Sequence, residues 1–122
     1  MKKKILIVDD DPGIQTMLKL MLRLEGFDSV VCGDPGKIFD FLKTESPDLV
    51  LLDAMMPSVD GLTVLRQIQE RELPHTPPII LFTGKVDERY IRSALEAGAS
   101  GHLTKPFVKE ELLERLNEFL AK

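Results

Sequence analysis

Three runs of this chain are apolar at every position: Ile5–Val8, Leu49–Leu52 and Ile79–Phe82. Each stops abruptly at polar residues, namely Asp9-Asp10-Asp11, Asp53 and Thr83-Gly84. A strand with one wet face alternates apolar and polar residues. Unbroken apolar runs instead predict strands covered by helices on both faces, as in a parallel sheet. The stretches between the runs are amphipathic and supply those helices.

The first helix signal follows Pro12, with Ile14, Met17, Leu18, Met21 and Leu22 on one face, and ends at Gly26. Asp11, just before Pro12, reads as its cap. Asp28–Cys32 holds a short β-branched run and reads as an edge strand. Asp34-Pro35 looks like a cap and first helical residue, opening a helix with Ile38, Phe41 and Leu42 inward. Asp60-Gly61 opens a helix carrying Leu62, Leu65 and Ile68. Asp87 is placed to cap a helix using Tyr90, Ile91, Ala94 and Leu95, which stops at Gly98. A short strand covers about Gly101–Leu103, and the last helix uses Val108, Leu112, Leu113, Leu116 and Leu120. Strand and helix alternate five times, which predicts one α/β domain over residues 1–122 with right-handed crossovers.

Composition narrows the classes. The chain has 122 residues, 43% hydrophobic and 30% charged, the size and balance of one soluble domain. Its formal charge of −4 argues against a surface that binds nucleic acid directly. One cysteine, Cys32, excludes an internal disulfide and reads as a small, partly buried residue. The opening MKKK-ILIV is too short to be a signal peptide and runs into three carboxylates. No apolar run is of membrane-spanning length, so a cytoplasmic location is expected.

Ligands of open parallel sheets bind outside the carboxyl ends of the strands. Here those ends carry Asp9 and Asp10, Asp53, Thr83 and, beyond the fifth strand, Lys105. Two carboxylates about 4 Å apart repel by about 4 kcal/mol at an effective dielectric near 20. Lys105 offsets one charge, and a hard divalent cation offsets two more. Oxygen donors without clustered His or Cys favour Mg²⁺ over Zn²⁺. A carboxylate beside such an ion is a candidate nucleophile toward phosphorus, and Asp53 stands alone at its strand end. Each of these residues alone has an ordinary reading as a cap, a turn residue or a solvated charge. Their joint placement at four strand ends is what points to chemistry.

The segments ILIVDDDP, DLVLLDAMMPSVDG, PIILFTGK and AGASGHLTKPF, in that order and at that spacing, resemble the receiver domain of two-component response regulators. The likeness runs from about Lys4 to Leu120. It implies a flavodoxin-like fold, a doubly wound five-stranded parallel sheet of order 2-1-3-4-5 with five helices on both faces. It further implies Asp53 as phosphoacceptor, and Asp9, Asp10, Asp53 and the backbone carbonyl of Met55 as Mg²⁺ ligands. Thr83 matches the switch hydroxyl, Lys105 the active-site lysine, and His102 falls where the family often has Tyr or Phe. Met55 and Lys85 would flank and shield the phosphoryl group, and the Lys105–Pro106 bond would be cis.

The implied partners are a sensor histidine kinase or phosphotransfer protein and a downstream protein target. Dimerisation through the fourth helix, fifth strand and fifth helix is common in the family, which makes a weak homodimer an expectation no residue here decides. The chain reads either as a stand-alone receiver or as a domain of a longer protein. The expected role is a switch that promotes its own phosphorylation and dephosphorylation, not a turnover enzyme. A phosphohydrolase using an aspartyl-phosphate would need a substrate cap, and no insertion supplies one. A flavin or nucleotide carrier would want a glycine-rich turn after the first strand, where this chain has DDD. A degenerate receiver acting only as a binding module is disfavoured by the presence of all five key side chains.

Overall fold

The computed structural model describes residues 2–56, 59–71, 73, 75–84, 88–105 and 107–120. Among these, five parallel strands form one sheet: β1 (Lys4–Val8), β2 (Asp28–Cys32), β3 (Leu49–Asp53), β4 (Ile79–Thr83) and β5 (Gly101–Thr104). Their order is β2-β1-β3-β4-β5. The helices are α1 (Pro12–Leu24), α2 (Ile38–Glu45), α3 (Gly61–Glu70), α4 (Glu88–Glu96) and α5 (Lys109–Leu120). The expected fold class and strand order are both present, and Asp28–Cys32 is an edge strand as expected.

The apolar runs work as anticipated. Every residue of β3 and β4 is buried. Alternate side chains go to opposite faces. Leu6, Val8, Val50, Leu52, Ile79 and Leu81 pack with Ile38 and Leu42 of α2, with Leu62, Leu65 and Ile68 of α3, and with Ala94 of α4. Ile5, Ile7, Leu49, Leu51, Ile80, Phe82 and Leu103 pack with Leu18 and Leu22 of α1 and Leu112 and Leu116 of α5. Each such aliphatic side chain contributes about 1.5–3 kcal/mol on full burial, so the two half-cores hold the strand ends in a fixed register.

The helix ends follow local chemistry. The Asp11 carboxylate accepts from Gly13 N at 2.8 Å and Ile14 N at 3.4 Å, and Pro12 needs no partner at the first helical position. At the other end Gly26 takes φ +87°, with Gly26 N donating to Arg23 O and Phe27 N to Leu22 O. That pair of bonds is a Schellman stop, for which glycine is the favoured residue.

Four details differ from the sequence reading. Asp34-Pro35 opens a single 3₁₀ turn, Pro35–Lys37, and α2 begins only at Ile38. Cys32 is fully buried, because β2 seats its last residue against the core, and its thiol donates to Asp34 O at 3.0 Å. Val108 precedes α5 and is exposed, as are Met17 and Leu95 on the outer flanks of α1 and α4. The fifth strand runs one residue further than expected, to Thr104. The proposed Asp87 cap, Lys85 and the Lys105–Pro106 bond fall on positions outside the described residues.

One contact ties α4 to the start of α3. The Tyr90 hydroxyl donates to Asp60 Oδ1 at 3.1 Å, and the same oxygen accepts from Leu62 N at 3.2 Å, making Asp60 the α3 cap. Burial first, then the Asp60 charge and its hydrogen bond, push the Tyr90 phenol up to about 12. The neutral phenol is therefore favoured by folding. Its stabilisation is complete below the ordinary tyrosine value near 10 and is lost as pH rises from there through about 12. Tyr90 is the only tyrosine and there is no tryptophan, so phenolate absorbance reports it alone. The expected midpoint lies near 12 in the native chain, moving toward 10 in Asp60→Asn; an ordinary midpoint in the native chain would refute the coupling.

Candidate functional site

Asp9 follows β1, Asp53 ends β3 and Thr83 ends β4, while Lys105 follows β5. The parallel register aligns these ends in one row. Ile7 pairs with Leu51 and Val8 with Leu52, Asp53 pairs with Phe82, and Thr83 pairs with Thr104. The sheet thus brings together residues that are far apart in sequence.

Asp9, Asp10 and Asp53 each offer a carboxylate oxygen, all within 4.8 Å of one another. Asp9 is wholly buried and Asp53 nearly so, while Asp10 is exposed. Asp9 Oδ1 accepts from Asp11 N at 2.9 Å. Asp9 Oδ2 is buried without a hydrogen-bond partner. Among the described residues, its nearest cation, the Lys105 ammonium, stands 3.8 Å away. An unpartnered buried carboxylate oxygen is costly unless something else neutralises it. Burial pushes the Asp9 carboxyl above its usual range; the Asp11 N–H opposes this, the Asp53 charge adds to it, and Lys105 opposes it. Asp9, Asp10 and Asp53 therefore fit a hard divalent cation on three counts: oxygen-only donors, close convergence and an orphaned buried oxygen.

Asp53 Oδ1 accepts from Met55 N at 3.0 Å and from Lys105 Nζ at 3.5 Å. The Lys105 side chain is a quarter exposed, so the ammonium faces both the carboxylates and the solvent. It also lies 4.7 Å from the centroid of the Phe82 ring. Lys105 is anchored at its backbone by its N–H to Thr83 O, 2.8 Å. Thr83 is buried at the end of β4. Met55 is half exposed beside Asp53, and Met55–Met56 pairs antiparallel with Val59–Asp60 in a short ribbon. His102 is half-buried on β5, paired with Leu81, and its carbonyl accepts from Arg115 Nε at 3.3 Å.

Three supporting residues had no signal in the sequence reading. The Gln15 amide donates to Asp9 O at 2.6 Å, holding the acidic loop against α1. Phe82 lies under Lys105. Gly61 is packed so tightly that an added Cβ would meet Ala54 Cα at 2.7 Å and Asp53 O at 3.2 Å. Its N–H donates to Ala54 O at 3.1 Å. Asp60-Gly61 was legible as a helix start, but the need for close approach behind Asp53 was not.

A family model described as "Response regulator receiver domain" matches residues 5–117. The chain is 38% identical over its full length to the DNA-binding response regulator MtrA of Mycolicibacterium smegmatis, of which it covers 52%. It thus spans about half the length of that curated relative. Among solved structures, a putative response regulator from Chloroflexus aurantiacus superposes with a TM-score of 0.91 at 31% identity, covering 100% of both chains. The receiver domain of the sensor histidine kinase PA1611 from Pseudomonas aeruginosa, solved with a magnesium ion coordinated in its active-site cleft, gives 0.87 at 29% identity, again covering both chains fully.

Two substitutions probe this geometry. Gly61→Ala forces the Ala54 backbone away and should cost about 1–3 kcal/mol in denaturant unfolding; an unchanged midpoint would refute the tight approach. Asp9→Asn removes a charge that the fold disfavours. Because the Asp9 pKa is raised, its contribution to stability is present below the ordinary carboxylate value and is lost as pH rises. At neutral pH the variant should therefore melt higher than the parent without Mg²⁺ and gain less when Mg²⁺ is added. A variant that melts lower without metal, or gains as much with it, would contradict this account.

Proposed function

The chain belongs to the response-regulator receiver family, and from that premise we propose that it is a phosphorylation-activated switch whose phosphoacceptor is Asp53. The observation that carries this reading is the position of the Lys105 ammonium, 3.5 Å from Asp53 Oδ1 and 3.8 Å from Asp9 Oδ2, above three converging carboxylates. Asp9, Asp10, Asp53 and the Met55 carbonyl would hold Mg²⁺, which when bound supplies positive charge to the phosphoryl oxygens.

The residues of the chain then have separate tasks. An Asp53 carboxylate oxygen attacks phosphorus as the phosphorus–nitrogen bond of a donor phosphohistidine breaks, and the donor imidazole keeps the bonding pair and takes up a proton. Met55 N and Lys105 hold Asp53 Oδ1, which orients the carboxylate. Lys105 also compensates charge developing on the transferred group. Thr83 supplies a hydroxyl to a phosphoryl oxygen. The register partner of His102 is Leu81, two residues before Thr83, so His102 and Thr83 leave the sheet on the same face. Movement of the Thr83 hydroxyl toward phosphorus would open space beside the half-buried His102 ring, whose rotation would change the surface read by a partner. The donor is a sensor histidine kinase or phosphotransfer protein, the setting cytoplasmic, and the output a protein contact. Direct nucleic-acid binding is not part of this domain's role, in keeping with its net charge of −4. Residues 1–122 act as one receiver domain.

Supplied with Mg²⁺ and phosphoramidate or acetyl phosphate, the chain should gain one acyl phosphate, and Asp53→Asn should gain none. Mass measurement before and after hydroxylamine treatment checks both. Equal labelling of the Asn variant, with the same lability, would refute the assignment.

A further inference from the structure

Lys105 approaches its carboxylates from beyond β5, and β4 lies between β5 and β3. The lysine side chain therefore crosses β4, and what it crosses is Phe82. Register puts the ring there: Phe82 pairs with Asp53 on one side and Leu103 on the other. Residues paired in register leave a sheet on the same face. Phe82 is 1% exposed and packs among Ile80, Leu103 and the α5 leucines, so its ring is confined. The Phe107 ring meets it edge-on, with centroids 6.3 Å apart and planes at 85°. That T-shaped contact is a favoured aromatic geometry and holds the ring plane.

An ammonium within about 6 Å of a ring centroid, on its face, is attracted by the ring quadrupole. The Lys105 nitrogen, at 4.7 Å, is inside that range. Its distances to Asp53 and Asp9, 3.5 and 3.8 Å, exceed the ~2.7–2.9 Å of a tight charge-assisted bond. The ammonium is thus shared among two carboxylates and a ring instead of closing onto one oxygen. An aliphatic residue at position 82 would fill the same core and offer no such attraction.

We propose that Phe82 is a positioning residue for phosphoryl transfer: its ring face, braced by Phe107, holds the Lys105 ammonium over β4, poised between Asp9 and Asp53. This rests on the reading of Asp53 as phosphoacceptor. Without the ring face, the ammonium settles onto a carboxylate and serves the phosphoryl oxygens less well, while the nucleophile and the acidic cluster are unchanged.

The test places phenylalanine, monofluorinated and pentafluorinated phenylalanine at position 82, which nearly preserves shape while draining the quadrupole, alongside Phe82→Leu. The readouts are the rate of Asp53 labelling by phosphoramidate at saturating Mg²⁺ and the NMR shifts of the Lys105 ε-protons. The rate should fall in order of fluorination, reaching roughly fivefold for the pentafluorinated ring and for Phe82→Leu, equivalent to about 1 kcal/mol. The Lys105 ε-protons should be displaced upfield in the parent and lose that displacement in Phe82→Leu. A residue that only fills the core would not order the rates by fluorination. A labelled parent with equal rates across the series, or with undisplaced ε-protons, overturns the proposal alone. An unlabelled parent overturns the phosphoacceptor reading and this proposal with it.

Discussion

The Asp9 carboxylate is where the costs of this fold concentrate. One oxygen is satisfied by the Asp11 backbone, while the other is buried, unpartnered, and faces a lysine 3.8 Å away. Asp53 and Asp10 add like charge within 4.8 Å. A carboxyl end so loaded stays together only because the strands beneath it are held independently. The two half-cores on either side of β1, β3 and β4 do that, with each inward aliphatic group contributing a share larger than a typical hydrogen bond. The apolar runs and the acidic ends are thus one design: the stability of the first tolerates the strain of the second.

The loops above the sheet are held by a few short-range contacts. Gln15 holds the Asp9 carbonyl from α1, and Gly61 lets α3 start directly behind Asp53. Tyr90 then links α4 to the same helix start through Asp60. The loop after Asp9 is thus held from α1, and the loop after Asp53 from α3 and α4. Disturbance of the Asp53 environment therefore has a covalent path through Ala54–Asp60 and a hydrogen-bonded one to α4.

Much of this was legible because it depends on patterns that survive in one dimension. Unbroken apolar runs exposed the buried strands, and Asp11-Pro12 with Gly26 framed α1. The polar residues ending each run named Asp9, Asp10, Asp53, Thr83 and Lys105. What could not be read depends on approach in three dimensions. Nothing in FTGK says that Phe82 lies under a lysine arriving from another strand. Nothing in DGL says that a methyl group at Gly61 would strike Ala54. Periodicity alone places Val108 and Leu95 inward, but Val108 precedes the helix and Leu95 lies on the flank of α4, and both are exposed. Asp34-Pro35 has the chemistry of a helix start, yet it closes only a 3₁₀ turn, and α2 begins at Ile38 without a side-chain cap from Lys37.

Charge counting supports the switch proposed above. With all three acids ionised, the cluster and Lys105 carry a formal charge of about minus two, which a divalent cation would bring near zero. In that switch, forming the acyl phosphate at Asp53 would exchange one carboxylate charge for roughly −1.5 to −2. That is a modest change in total charge, and it comes with a large change in its position. Negative charge would move outward from the sheet edge, and Lys105 and Thr83 are donors within the row placed to follow it. Lys105 is bound through its backbone to Thr83, which would couple their movements. The buried Phe82 ring, braced by Phe107, would set the point from which the lysine departs. A sheet that holds the charges and a short polar segment that follows them would together make a two-state element, and the helices packed on β4 and β5 would convert that local step into a change of surface.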